Sequence, residues 1–147
     1  MEKFSKPVEI RWSDLDPNFH LRHSVYYDYG AFVRISFLEM VGLTPLVFVK
    51  NNFGPIIFRE ECLFKKEIHF GDTLEVTTIL TKAREDYSRW TIAHEVWKNG
   101  DILAAAITVE GAWIDTVKRK LYQPTQFLID AFGKIPRIEG FVFDEPK

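Results

Sequence analysis

Between Val25 and Val41 the only charged residues are Asp28, Arg34 and Glu39. At about 100° per residue, Asp28 and Glu39 fall within about 20° of one another, and Arg34 lies well to one side. Tyr26, Tyr29, Phe32, Val33, Ile35, Phe37, Leu38 and Met40 cover most of the remaining circumference. A helix apolar on nearly every side must be buried, so the rest of the chain has to wrap it. Ser24 reads as its N-cap, Asp28 suits the positive end of its dipole, and Gly42 suits the position just past its end. Gly30, in the middle, weakens the helix by roughly 1 kcal/mol against Ala. A close approach there by a strand, a partner helix or a ligand accounts for it.

The wrapping material is strand. Val8, Ile10 and Trp12 alternate with Glu9, Arg11 and Ser13 and predict a half-buried strand over Val8 to Leu15, closed by the turn Asp16-Pro17-Asn18. After the helix, Ile56 to Phe64 is rich in β-formers, Phe70-Gly71-Asp72-Thr73 marks a turn, and Leu74 to Thr81 alternates. Ser88 to Lys98 and Asp101 to Ile114 flank Asn99-Gly100, a strong hairpin signal. Asp115 to Lys120 reads as a charged turn, Thr125 as the cap of a short helix ending at Gly133, and Lys134 to Lys147 as irregular. The expected fold is α+β: an antiparallel sheet of about five strands curled around one long central helix. At 147 residues the chain reads as a single domain over 1–147, with a core from about 5 to 125 and a C-terminal helix and tail over 124–147.

The formal net charge of −2 argues against nucleic-acid binding. The N-terminus carries no apolar signal segment, and the longest charge-free run, Met40 to Val49, is too short for a bilayer that needs about 20 residues. No membrane partner is expected, and Cys62, the single cysteine, suits a reducing, cytoplasmic setting. Aromatic residues make up 15% of the chain; a small domain can use that many rings for its core, and an apolar ligand pocket or a subunit interface is the other use for them.

The densest polar patch is Arg11-Trp12-Ser13-Asp14-Leu15-Asp16-Pro17-Asn18-Phe19-His20-Leu21-Arg22-His23, which runs straight into the helix N-terminus. Free amides at such a terminus bind an anion or polarise a carbonyl. A carboxylate beside them can act as general base or as nucleophile on that carbonyl, which is what acyl transfer needs.

Asp14-Leu15-Asp16-Pro17-Asn18-Phe19-His20-Leu21-Arg22-His23, followed by Tyr26 and Arg34, resembles the signature of the 4-hydroxybenzoyl-CoA thioesterase-like acyl-CoA thioesterases, which have the hotdog fold. Phe70-Gly71-Asp72-Thr73-Leu74, Ala104 to Asp115 and Pro124 are similar to later landmarks of that family. The resemblance implies hydrolysis of an acyl-CoA thioester to free acid and coenzyme A, with no metal and no organic cofactor. It implies Asp16 as the catalytic carboxylate and His23 as the residue whose backbone amide polarises the thioester carbonyl. Trp12, Phe19, His20 and Tyr26 are the expected substrate-binding residues. It also implies a homodimer or homotetramer with the site at the subunit interface. Three positions depart from the pattern: Phe19 stands for a glycine, Trp12 for a tyrosine, and Ala31 for a frequent glutamate.

Other readings of the same residues compete. Asp-Pro favours turns, so Asp16 can be a turn residue, and Asp14 reads as structural. His20 and His23, with Asp14 and Asp16, have a metal-type composition, but a hydrogen-bonding His23 fits better. Cys62 among acidic neighbours reads as an inert thiol, and His69 and His94 as a turn and a strand residue without a role. Lys118-Arg119-Lys120 reads as a solvated turn, with Lys65-Lys66 and Arg22 as rival contacts for coenzyme A phosphates. A thioesterase for acyl carrier protein and a non-catalytic acyl-CoA-binding module of the same fold are the alternative functions.

Overall fold

The structure is a computed structural model that describes residues 3–145. The apolar helix forms as α1, His23–Met40, two residues earlier in its start than the sequence suggests. Arg22, not Ser24, is its N-cap, and no side chain caps it; Asp28 lies beyond the first turn. The far end is as expected: Gly42 has φ 88°, its amide donates to the Glu39 carbonyl at 3.1 Å, and the Leu43 amide donates to Leu38 at 2.8 Å. This pair of bonds is a Schellman closure, which needs the left-handed residue that glycine supplies.

The strands are β1 (Phe4–Val8), β2 (Phe53–Phe64), β3 (Leu74–Ala83), β4 (Arg89–Lys98), β5 (Ile102–Asp115) and β6 (Lys120–Leu121). They make one antiparallel sheet in the order β1-β3-β4-β5-β2, with the short β6 added to β5. Asn99 and Gly100 both take positive φ in the β4–β5 turn. The first strand differs from its prediction. It ends at Val8, and a 3₁₀ turn over Trp12–Asp14 replaces the expected continuation to Leu15. The alternation that suggested a strand there is an accident of the turn, and Trp12 is 74% exposed.

A second helix, α2 (Pro45–Asn51), was missed by the hydropathy pattern. Its signal is Thr44-Pro45: the Thr44 hydroxyl accepts the Val47 amide at 3.2 Å and Pro45 sits at the first helical position. The last helix, α3 (Gln126–Phe132), is capped by Thr125 and followed by Gly133, as expected. The irregular tail lies along β3, with the Leu80 amide donating to Pro136 and the Asp144 amide to Ala83, both at 2.8 Å. It thereby covers the part of that edge that β1 leaves free. No single helix among the described residues is long and apolar enough to cross a membrane.

The sheet wraps α1 on one side only. Val25, Tyr26, Tyr29, Gly30, Val33, Phe37 and Leu38 are buried, while Phe32, Ile35 and Met40 remain exposed. The expectation of burial on nearly every side is therefore met on the sheet face alone. Gly30 lies over β4, where an added Cβ would sit 3.1 Å from the His94 ring. That strand contact is the close approach that the mid-helix glycine signalled.

His94 is fully buried and is not the idle strand residue expected. Its Nε2 lies 2.8 Å from an Arg34 guanidinium nitrogen, which is always a donor, so Nε2 must accept. Nδ1 then carries the proton and donates to the Thr77 carbonyl at 3.0 Å. Burial, with the Arg34 charge second, pushes His94 down to about 3. An unfolded chain would protonate it near 6.5. The native state refuses a proton that the unfolded state accepts, so this contribution is full above pH 6.5 and is lost as pH falls toward 3. The limiting slope is about 1.4 kcal/mol per pH unit. Thermal denaturation should show Tm falling as pH drops from about 7.5 to about 4.5, and a His94→Gln variant should lose that part of the slope.

Candidate active site

The junction between β1 and α1 is built on Asp14. Its carboxylate is 1% exposed; Oδ2 accepts the Arg11 amide and Oδ1 an Arg11 guanidinium nitrogen, both at 2.9 Å. The Arg11 hydrogen bonds hold its carboxyl below the usual range against the opposing effect of burial. Its backbone carbonyl accepts the Arg22 amide at 2.7 Å. Asp14 therefore pins the 3₁₀ turn to the helix entrance and has no free oxygen for a substrate.

Asp16 makes the next turn. Its Oδ1 accepts the amides of Asn18 at 2.8 Å and His20 at 3.1 Å, and its own amide donates to the His20 carbonyl at 2.8 Å. This Asx-type turn is the structural role that Asp-Pro suggested. Among the described residues, nothing hydrogen-bonds Oδ2. Phe19 closes the loop at φ 61°. The backbone thus keeps the left-handed conformation for which a glycine is suited, with a phenylalanine strained into it.

The loop then pairs with the segment after β2. The Leu21 amide donates to Ile68 at 2.8 Å, and His20 forms a bridge to His69. Between the two segments and the start of α1 lies a cleft of about 280 Å³. Asp16, His20, His23 and Tyr26 line it together, with Leu21, Phe64, Lys65, Lys66, Glu67 and Ile68. Four of the six expected site residues thus meet in one place. Trp12 and Phe19 do not line this cleft; their rings tilt against each other 6.4 Å apart on the exposed side of the loop.

His23 is the first residue of α1 and lines the cleft, which brings the N-terminal end of the helix to it; of the first-turn amides, that of Val25 already donates to the Arg22 carbonyl at 3.0 Å. Tyr26 is buried beneath, edge-on to Phe64 at 4.9 Å. Burial pushes its phenol up to about 12, so it stays protonated. Tyr29, one turn on, ties the connector to the helix by donating to the Glu9 carbonyl at 2.8 Å. Cys62 is half-buried and its thiol is pushed up to about 11 by burial and by Glu60, which leaves it protonated and a poor nucleophile.

Of the basic groups named as rivals, Lys65 and Lys66 reach the cleft. Arg22 is engaged with Ser24 and the Ser13 carbonyl, each at 3.0 Å, while Lys118 and Arg119 sit in the β5–β6 turn and Lys120 opens β6. Phe64 and Glu67 were missed as site residues. No local pattern marks them, because only the return of β2 beside the loop brings them there. Larger hollows of about 480 and 510 Å³ near Arg84 and Asp144 contain none of the junction residues.

Comparison with known proteins places this fold. The sequence model of the thioesterase-like superfamily matches residues 10–139. A hypothetical protein from Staphylococcus aureus, solved in complex with CoA, superposes with a TM-score of 0.84 at 18% identity, covering 99% of this chain and 96% of that one. A DHNA-CoA thioesterase from Staphylococcus aureus gives 0.80 at 19% identity, covering 94% and 99%. A 1,4-dihydroxy-2-naphthoyl-CoA thioesterase from Synechocystis gives 0.79 at 18% identity, covering 90% and 96%. At such identities the likeness is one of fold, and that fold is the hotdog expected. Comparison with curated proteins finds no match.

The strain at Phe19 is measurable. A non-glycine residue in the left-handed region costs roughly 1–2 kcal/mol, while glycine loses about 0.5–1 kcal/mol more entropy on folding. Phe19→Gly should therefore stabilise the protein by roughly 0.5–1 kcal/mol, read as a higher denaturation midpoint at fixed protein concentration.

Proposed function

The chain belongs to the thioesterase-like superfamily, and on that premise we propose that it hydrolyses an acyl-CoA thioester to the free carboxylic acid and coenzyme A. The observation that carries this reading is that Asp16 and the open N-terminus of α1 line one cleft. The thioester carbonyl oxygen would rest on the amides at His23, whose partial positive charge offsets the negative charge that develops there. Asp16 would present Oδ2 to the carbonyl carbon, either taking a proton from an attacking water or attacking directly. With water as the attacker, the carbon–sulfur bond breaks, the sulfur leaves as the coenzyme A thiol after gaining a proton, and water supplies the acid's new oxygen; with Asp16 as the attacker, the same thiol leaves behind a mixed anhydride on Asp16, which water then hydrolyses to the free acid and the restored carboxylate. Lys65 and Lys66 stand where phosphates or a phosphopantetheine arm would enter, while Tyr26 and His20 bound the reacting group. Phosphopantetheine is also the arm of acyl carrier protein, so the same lysines keep that substrate in the test.

A homodimer fits this reading. β2 is a sheet edge twelve residues long, and among the described residues no strand pairs with its outer side. Ile57, Phe58, Leu63 and Phe64 on it are exposed, as are Phe32 and Ile35 of α1. A long apolar edge of this kind is an aggregation hazard unless something pairs with it. A second copy adding its own β2 would close the edge, and because Phe64 both ends β2 and lines the cleft, the partner would stand at the site. Sedimentation should therefore give a dimer or larger assembly of the 17.2 kDa chain, and the paired change Ile57→Lys with Leu63→Lys should shift it toward monomer. A monomeric wild type would overturn this.

Thiol release from short, long and aromatic acyl-CoAs, with acyl carrier protein thioesters alongside, tests the chemistry. Asn at position 16 retains an Oδ1 for the two turn amides but has no base or nucleophile. Asp16→Asn should lose at least about a hundredfold in kcat, roughly 2.7 kcal/mol of barrier, with Tm little changed. Binding of an acyl-CoA by wild type with no turnover of any substrate would instead support the binding-module reading.

A further inference from the structure

On the wall of the Asp16 cleft, the bridge between His20 and His69 brings two imidazoles to one carboxylate. His20 Nε2 lies 3.4 Å and His69 Nε2 3.7 Å from the same Glu67 oxygen, Oε2. One donor atom from each of the three residues lies within 4.8 Å of the others. None of these pairs is hydrogen-bonded, for which the separation would be about 2.7–3.2 Å. The two separations are within ion-pair range and also fit ligands around a common centre. Bonds of about 2.0–2.1 Å at a tetrahedral angle put ligand atoms about 3.3 Å apart.

The backbone under this cluster is fixed. The His69 amide donates to Asp72 Oδ2 at 2.8 Å, and the Asp72 amide returns to the His69 carbonyl at 3.1 Å. Asp72 accepts from Asn99 at 3.0 Å, and Lys98 donates to the Glu67 carbonyl at 2.6 Å. The two rings meet edge to face at 4.9 Å. Two nitrogens and one carboxylate oxygen form a donor set suited to zinc and its neighbours, with a fourth position left open.

We propose that His20, Glu67 and His69 bind one divalent transition-metal ion of the zinc class beside the Asp16 cleft. This is a different group from His20, His23, Asp14 and Asp16, the set that spacing alone suggests, since Asp14 is bound to Arg11. The site does not depend on the hydrolytic reading above. A bound ion would use the lone pairs of both imidazoles and of the Glu67 carboxylate, so protons compete with it for the same atoms.

The test is calorimetric titration of tag-free, metal-stripped protein with zinc chloride, repeated with cobalt(II), whose visible spectrum reports tetrahedral coordination. The expected result is one ion per chain with a tetrahedral cobalt spectrum. Loss of a ligand in His69→Ala and in Glu67→Gln should weaken binding at least ~100-fold, given that even outer-sphere changes cost about 10–100-fold. Circular dichroism of both variants checks that they are folded, and Glu67→Gln, nearly isosteric and exposed, guards against a folding defect. Unchanged affinity in these folded variants, stoichiometry other than one, or an octahedral cobalt spectrum would overturn the proposal. Because the readout is binding and not thiol release, its failure leaves the role of Asp16 untouched, and the reverse also holds.

Discussion

The seating of α1 on the sheet governs everything else in this molecule. The helix comes so close to β4 that a Cβ at position 30 would sit 3.1 Å from the His94 ring, tighter than an ordinary contact. His94 in turn is locked by Arg34 from the helix and by Thr77 from β3, so three elements meet at one neutral imidazole. Sitting deep, the group carries a strict condition: it is stabilising only while uncharged. The seating fixes not only depth but also direction. With α1 anchored at its middle, its N-terminus is held at a set place beside the loop that leads into it.

That loop uses two carboxylates in opposite ways. Asp14 is buried and spends both oxygens on Arg11, so it is a staple. Asp16 spends one oxygen on the turn and faces the cleft. The turn role and the proposed chemical role of Asp16 are compatible because a carboxylate has two oxygens and the Asx turn needs only one. The strained Phe19 belongs to the same economy of space: a left-handed residue is needed to bring His20 and Leu21 back against Ile68 and His69, whatever side chain it carries.

The sheet treats its two edges differently. Along β3, β1 and the C-terminal tail together occupy the outer side. Along β2, Ile57, Phe58, Leu63 and Phe64 are exposed on either side of the charged run Arg59-Glu60-Glu61, and among the described residues no strand pairs with the outer side. Phe32 and Ile35 of α1 are exposed as well, Phe32 beside Pro7, Val8 and Glu9. Phe58 and Phe64 on the β2 edge are among the rings that an interface could use, while Trp12, Phe19 and Phe70 are exposed elsewhere.

Much of this was legible in advance. The all-apolar helix demanded a wrapping partner, alternation and Asn99-Gly100 supplied antiparallel strands, and Thr125 and Gly133 bracketed the last helix, because those signals depend on local chain geometry. The motif around Asp16 and His23 was legible as a pattern, since a loop entering a helix N-terminus is contiguous. Local signals also misled: a two-residue alternation hid the 3₁₀ turn at Trp12, and Thr44-Pro45 was a cap without an amphipathic stripe behind it. What only the tertiary structure decided is what lies across from what. His94 gained its importance from Gly30, sixty-four positions away in the chain. Phe64, Lys65 and Glu67 joined Asp16 through the return of β2, and His20 met His69 through a single bridge. Sequence determines the elements because backbone preferences act over a few residues. The site is assembled by long-range packing, which no short window of residues contains.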